Sequence, residues 1–167
     1  MKIQTNQILN SFQKNDLDRI DFEIMQSLQK NARLSNKELA AKVGLAPSSC
    51  LQRVRYLQKK KVIRSFYAEV DPAAFGIGLQ ALIAVRLKKH SRNLFKMLHG
   101  HLVKLPEVIS IAHISGANDL LVRVAVRDTH HLRDLIVDRF ATRPEVDRCE
   151  TSIIYDYFQN PSLPNLV

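Results

Sequence analysis

Cysteine is scarce in this chain: 167 residues contain two, Cys50 and Cys149. They lie far apart with no Cys-x-x-Cys spacing, so neither a disulfide framework nor a thiolate metal site is expected. That usage fits a reducing, cytoplasmic setting. No run of about 18 apolar residues occurs, which excludes a membrane-spanning helix. The first fifteen residues are polar and lack a continuous apolar core, so no secretory leader is expected there. Also missing are a phosphate-binding Walker loop, a Gly-x-Ser-x-Gly elbow and a His-Glu-x-x-His pair. His99-x-His101 and His130-His131 have no nearby Cys or carboxylate set, and helical residues at i and i+2 point in different directions. Neither an enzyme, a metal nor a resident cofactor is therefore expected.

What remains is an ordinary globular composition, 46% hydrophobic and 25% charged, which argues against global disorder. The charge is uneven. Of the net +9, residues 1–64 hold 13 Lys/Arg against 5 Asp/Glu, and residues 65–167 hold 12 against 11. From Arg53 to Arg64 there are six basic residues and no acid. Such a block either attracts a polyanion by counterion release or is a solvated helix face.

The surrounding pattern bears on that choice. Leu17, Ile20, Ile24 and Leu28 fall at spacings of three and four, predicting a helix over Asp16 to Lys30 with acids in its first turns. Ser35 followed three later by Glu38 is a capping box for a short helix ending at Val43, with Gly44 as its left-handed stop. Pro47 suits the first turn of a third helix reaching about Lys60. Cys50, Val54 and Leu57 share its inward face; Ser48, Gln52, Arg55 and Lys59 lie opposite, flanked by Ser49, Arg53 and Tyr56. Two short helices around a tight turn predict a helix-turn-helix, with a plain three-helix interaction module as the alternative. Ser48, Ser49 and Gln52 are short enough to read base edges, while Arg53, Arg55, Lys59, Lys60 and Lys61 suit phosphates. Residues 62–70 are β-branched and aromatic and predict a strand, ended by Asp71-Pro72.

Further on, Leu105-Pro106-Glu107-Val108 returns 38 residues later as Arg143-Pro144-Glu145-Val146. The same offset sets Leu94, Met97, Leu98 and Leu102 on Leu132, Leu135, Ile136 and Phe140, all apolar. Strand-like runs flank both helices, predicting β-α-β twice over: a ferredoxin-like antiparallel sheet with both helices on one face. Its open face would carry apolar residues and call for a partner, so a homodimer through the sheets is expected.

These residues resemble the Lrp/AsnC, or feast/famine, family of transcriptional regulators. Leu17-Asp18-Arg19-Ile20-Asp21 with Asn31-Ala32-Arg33 is similar to its opening helix. Leu39-Ala40 through Val43-Gly44-Leu45-Ala46-Pro47-Ser48, then Cys50, Arg53-Val54-Arg55, Leu57 and Val62-Ile63, resemble its helix-turn-helix. Asp71-Pro72 and Gly76 match its linker. Gly116-Ala117-Asn118-Asp119 resembles its Gly-x-x-Asp turn, and Arg148 and Thr151 its last strand. Ala46, Lys61 and Asn118 depart from it, standing where the family usually has a capping Ser, a Gly and an aromatic.

The resemblance implies an α+β chain. Residues 1–15 form a tail and 16–64 a winged helix-turn-helix (three helices plus a short strand). Residues 65–78 link it to a ferredoxin-like βαββαβ effector and oligomerisation domain over 79–157, with 158–167 as a tail. It implies sequence-specific binding of double-stranded DNA, a homodimer or higher oligomer, and a small amino-acid-like effector near Gly116, Ala117, Asn118 and Asp119. The turn's backbone N–H groups could hold a carboxylate and Asp119 an ammonium; alternatively Gly116 merely permits a hairpin. Two other readings stay open. A siroheme-type, haem-pathway decarboxylase on the same fold would use His113 and Arg123 against tetrapyrrole carboxylates, leaving the basic block unexplained. A metabolite sensor without DNA binding would leave the outward face of Ser48–Lys59 unexplained.

Overall fold

In the computed structural model the described residues are 17–89, 91–164 and 166. They divide into two compact units, residues 17–68 with the tail from 159, and residues 69–158.

The first unit is three helices. Helix α1 spans Arg19–Lys30, and its start is fixed by a reciprocal cap: Asp18 accepts from the Asp21 N–H while Asp21 accepts from the Asp18 N–H. The cap places the helix start two to three residues later than the apolar spacing predicts; Asp16 lies outside the described residues. Helix α2, Asn36–Lys42, carries the expected Ser35–Glu38 box. Gly44 then turns at φ +67°. Helix α3 spans Pro47–Lys59; Ala46 supplies no side-chain cap, so proline at the first turn is what starts it. It ends on Lys61 at φ +58°, a left-handed conformation that a β-carbon disfavours by ~1 kcal/mol. The core joins Ile24 and Leu28 of α1 with Leu39 and Ala40 of α2, Val43 just after it, and Cys50 and Leu57 of α3.

Residues 62–70 form no strand. Val62 and Ile63 pack on the helices, Phe66, Tyr67 and Val70 stand exposed, and no strand among the described residues pairs with this stretch. Strand propensity without a pairing partner leaves the backbone extended and solvated. A one-turn 3-10 helix, Pro72–Phe75, follows and closes on Gly76 at φ +70°.

The second unit is a four-stranded antiparallel sheet: β1 Leu79–Leu87, β2 Val108–His113, β3 Leu120–Val126 and β4 Val146–Ile153, in the order β2-β3-β1-β4. Helix α4 spans Arg92–Leu102, and α5 spans Thr129–Ile136, extended by a π turn over Val137–Ala141. Ala81, Ile83, Val85 and Leu87 on β1, with Leu120, Val122, Val124 and Val126 on β3, face the helices. Leu98 and Leu102 meet them from α4, Leu132, Leu135 and Phe140 from the α5 region. Each such buried side chain contributes roughly 1.5–3 kcal/mol.

The repeat is structural as well as sequential. The Glu107 carbonyl accepts from the Ala125 N–H and the Glu145 carbonyl from the Lys88 N–H, so each Pro-Glu-Val ties its βα half to the other. Gly78 enters β1 so close to the next strand end that an added β-carbon would sit 2.4 Å from the Arg127 carbonyl oxygen.

Candidate nucleic-acid interface and effector turn

Helix α3 is amphipathic in the sense that matters for docking. Cys50 and Leu57 are fully buried. One face over, Ser48, Ser49, Gln52, Arg55, Tyr56, Lys59, Lys60 and Lys61 are all exposed. Arg55, Lys59 and Lys61 make no ion pair with any described residue, and the Lys60 ammonium lies 5.6 Å over the Tyr56 ring. Short polar groups therefore sit nearest the helix start and cations nearest its end.

Arg53 is the exception. Its guanidinium donates to Asp18 Oδ2 at 2.7 Å and Asp21 Oδ1 at 2.9 Å. Asp21 is buried; Asp18 is half exposed, and its carboxyl is held below the usual range by the Asp21 N–H and by Arg53 against the opposing effect of burial. A residue expected on phosphate thus bridges α3 to the cap of α1. Sequence gave no sign of it, because the partners are 32 and 35 residues away and matched by no local spacing. Leu17, Asp18, Asp21, Ser49, Gln52, Arg53 and Tyr56 line one open groove of about 500 Å³. The two carboxylates thereby share a groove with the proposed base-reading side chains.

At the other candidate site, Gly116 adopts φ +120° and is exposed with Ala117. Asp119 is buried and turned inward: its Oδ2 accepts from the Leu87 N–H at 2.8 Å. This carboxylate, expected to meet an effector, secures the end of β1 through that oxygen. Beside it, Asn118 Oδ1 is buried without a hydrogen-bond partner among the described residues. An acceptor left so costs ~1–3 kcal/mol unless a donor arrives.

His113 and Arg123 do not converge. His113 pairs across from Leu120, whose side chain faces the helices, and stacks on Phe95 of α4 at 4.4 Å. Arg123 falls between inward Val122 and Val124, so it projects from the opposite face of the sheet. There it donates to Gln80 Oε1 and lies 3.5 Å over the Tyr157 ring. Residues on opposite faces cannot line one tetrapyrrole cavity. Burial pushes both thiols up, Cys149 to about 11, leaving them protonated and unreactive at neutral pH. No group of three or more His, Cys, Asp or Glu able to hold a metal occurs among the described residues. No helix among them is long and apolar enough to cross a membrane.

Comparison with known proteins bears on both units of the chain. Residues 17–64 match a family model described as winged helix-turn-helix DNA-binding, and residues 80–161 one described as Lrp/AsnC ligand binding domain. The chain is 40% identical to the HTH-type transcriptional regulator AldR of Mycolicibacterium smegmatis, over 88% of this chain and 86% of that protein. It is 32% identical to the leucine-responsive regulatory protein of Escherichia coli, over 84% and 86%. Among solved structures, a transcriptional regulator of Neisseria meningitidis in complex with L-Met superposes with a TM-score of 0.83 at 30% identity, covering 89% of this chain and 96% of that one. With a helix-turn-helix at one end, a ligand-binding ferredoxin-like domain at the other and relatives spanning both, this chain belongs to the Lrp/AsnC family of helix-turn-helix transcriptional regulators.

Proposed function

We propose that α3 lies in the major groove of duplex DNA, where Ser48, Ser49 and Gln52 read base edges and Arg55, Tyr56, Lys59, Lys60 and Lys61 hold the backbone. The observation that carries this is the division of one helix: Cys50 and Leu57 are wholly buried while the opposite polar and basic face is open. Gln52 has the donor and acceptor pair that adenine presents in the major groove. Arg53 is reassigned from phosphate contact to positioning α3.

The second unit takes a small effector of amino-acid class. Support comes from the relatives named for leucine and solved with L-Met. It comes also from the turn 116–119, where the Asn118 acceptor lacks a donor and Gly116 exposes backbone. An effector ammonium would satisfy the first and its carboxylate the N–H groups of the second. Asp119 shapes the turn rather than binding. No catalysis is assigned to the chain, and its place of action is the cytoplasm.

The acting form is a dimer or a larger assembly joined through the open sheet face, where Leu82, Ala84 and Leu121 remain half exposed. Two copies of α3 would then enter successive grooves of a pseudo-palindromic site. The test is selection of bound duplexes from a random pool, followed by footprinting with and without each amino acid. An enriched two-fold motif whose protection responds to one amino acid is expected. Enrichment of no motif would overturn the sequence-reading assignment. Sedimentation at micromolar concentration tests assembly, and a stable monomer counts against it.

A further inference from the structure

The cations of the second unit fall into two populations. In residues 120–153 four of six arginines are already engaged: Arg123 with Gln80 and Tyr157, Arg133 with Asp134, Arg143 with Glu145 and Arg148 with Glu150. Residues 72–106 are different, with six Lys/Arg and no acid at all. Arg86 lies 3.9 Å from Asp147. Lys88, Lys89, Arg92 and Lys96 are exposed and make no ion pair or side-chain hydrogen bond with any described residue.

These four lie within nine residues of chain. Arg92 and Lys96 stand four apart on α4, hence on one face and about 6 Å apart along the axis. Lys88 and Lys89 occupy the loop feeding the same end of that helix. The corresponding element of the second repeat, α5, mixes Arg133 and Arg139 with Asp134 and Asp138 behind an Asp128 cap. Two halves built on one plan thus differ in surface chemistry, one basic and one of mixed charge. Gathering like charges without neutralising them costs self-repulsion, which a polyanion relieves.

We propose that Lys88, Lys89, Arg92 and Lys96 form a second DNA contact, engaging phosphates of the duplex that flanks the segment read by α3 and reading no sequence. The occupant follows from charge complementarity: duplex DNA offers a negative charge every ~1.7 Å, and four exposed cations spread over nine residues suit an extended polyanionic backbone rather than a single small carboxylate. Once α3 holds the duplex, covalent linkage raises the local phosphate concentration at the patch to roughly the millimolar range. This rests on the DNA-binding reading above and adds a site to it.

The experiment uses the full chain and two duplexes containing the selected site, one trimmed to the enriched motif itself and one with long flanks. The variants are Lys88→Gln with Lys89→Gln, and Arg92→Gln with Lys96→Gln, all at exposed positions. Binding is measured across a salt series. On the long duplex each double variant should lower the slope of log affinity against log salt by about 1.8, an affinity loss of roughly tenfold at low salt. On the trimmed duplex both should bind as the unsubstituted chain does. An equal response on the two duplexes, including no response on either, overturns the proposal. A changed sedimentation profile also overturns it, since the patch would then be a contact between copies. Failure of the α3 reading shows separately, as loss of site preference by the unsubstituted chain on the trimmed duplex.

Discussion

Arg53 Nη1 stands 2.9 Å from Asp21 Oδ1, tying helix α3 to the cap of α1. The same carboxylate group closes that cap through its other oxygen, so one residue serves both ends of the link. The Asp18 and Asp21 carboxylates also line the groove that holds Ser49 and Gln52. Arg53 therefore neutralises acid beside the proposed DNA path instead of offering free charge to it.

Replacing Arg53 by Gln should weaken binding to the selected site several-fold while leaving the salt slope unchanged, because no counterion-releasing contact is removed. A slope reduced by about 0.9 would show that Arg53 reaches a phosphate after all. Adding Asp18→Asn and Asp21→Asn to Arg53→Gln should recover part of the affinity by removing the uncovered negative charge.

Gln52 and Lys59 should fail differently. Gln52→Ala is expected to cost ~1–3 kcal/mol at one base position and to relax preference there. Lys59→Ala should weaken every sequence alike and flatten the salt slope by about one ion. Competition binding with single-base variants of the site separates the two; uniform weakening by Gln52→Ala would shift the register of α3 on DNA.

Asp119→Ala removes the buried acceptor of the Leu87 N–H and leaves that donor unmet. A loss of ~1–3 kcal/mol in denaturant unfolding is expected. Asn118→Ala, by contrast, removes an acceptor that has no donor among the described residues. It should raise stability to denaturant by up to ~1–3 kcal/mol by removing the cost of that unmet acceptor, and weaken effector binding, read by calorimetry with the amino acid found active in footprinting.

Glu145 is buried, and although desolvation works against its charge, its own N–H and the bidentate Arg143 hold its pKa below the usual carboxylate range. A folded pKa below the unfolded one gives stability that is present above about pH 4.3 and lost as pH falls through the folded value. Acid titration of unfolding should therefore be less steep in Glu145→Gln, which is destabilised at neutral pH but has less left to lose in acid.

Gly78→Ala puts a methyl carbon 2.4 Å from the Arg127 carbonyl oxygen, a backbone atom that cannot swing away. A thermal or denaturant scan should show a loss of ~1–3 kcal/mol, the usual cost of overpacking. Gly100→Ala, which meets nothing within 4 Å, is the control.

Much of this molecule is legible from local rules. The Ser35–Glu38 cap, the Gly44 stop, the inward Cys50 and Leu57 and the two βα halves depend on interactions a few residues apart, which spacing records directly. The left-handed turn at Lys61 is different: only the resemblance to a family that usually has glycine there pointed to it, since a lysine carries no local sign of positive φ. The strand expected over 62–70 does not form, because a strand exists only when another pairs with it, and propensity names no partner.

The site divides along the same line. Sequence by itself determined which residues α3 turns outward and where positive charge accumulates, since helical periodicity and charge count are properties of order alone. Tertiary structure decided which of those charges remain available. Arg53 is claimed by carboxylates 32 and 35 residues away, Asp119 by a backbone N–H 32 residues before it, while Lys88, Lys89, Arg92 and Lys96 are claimed by no described residue. Availability depends on what folding brings within hydrogen-bond reach, and distance in space is not written in distance along the chain.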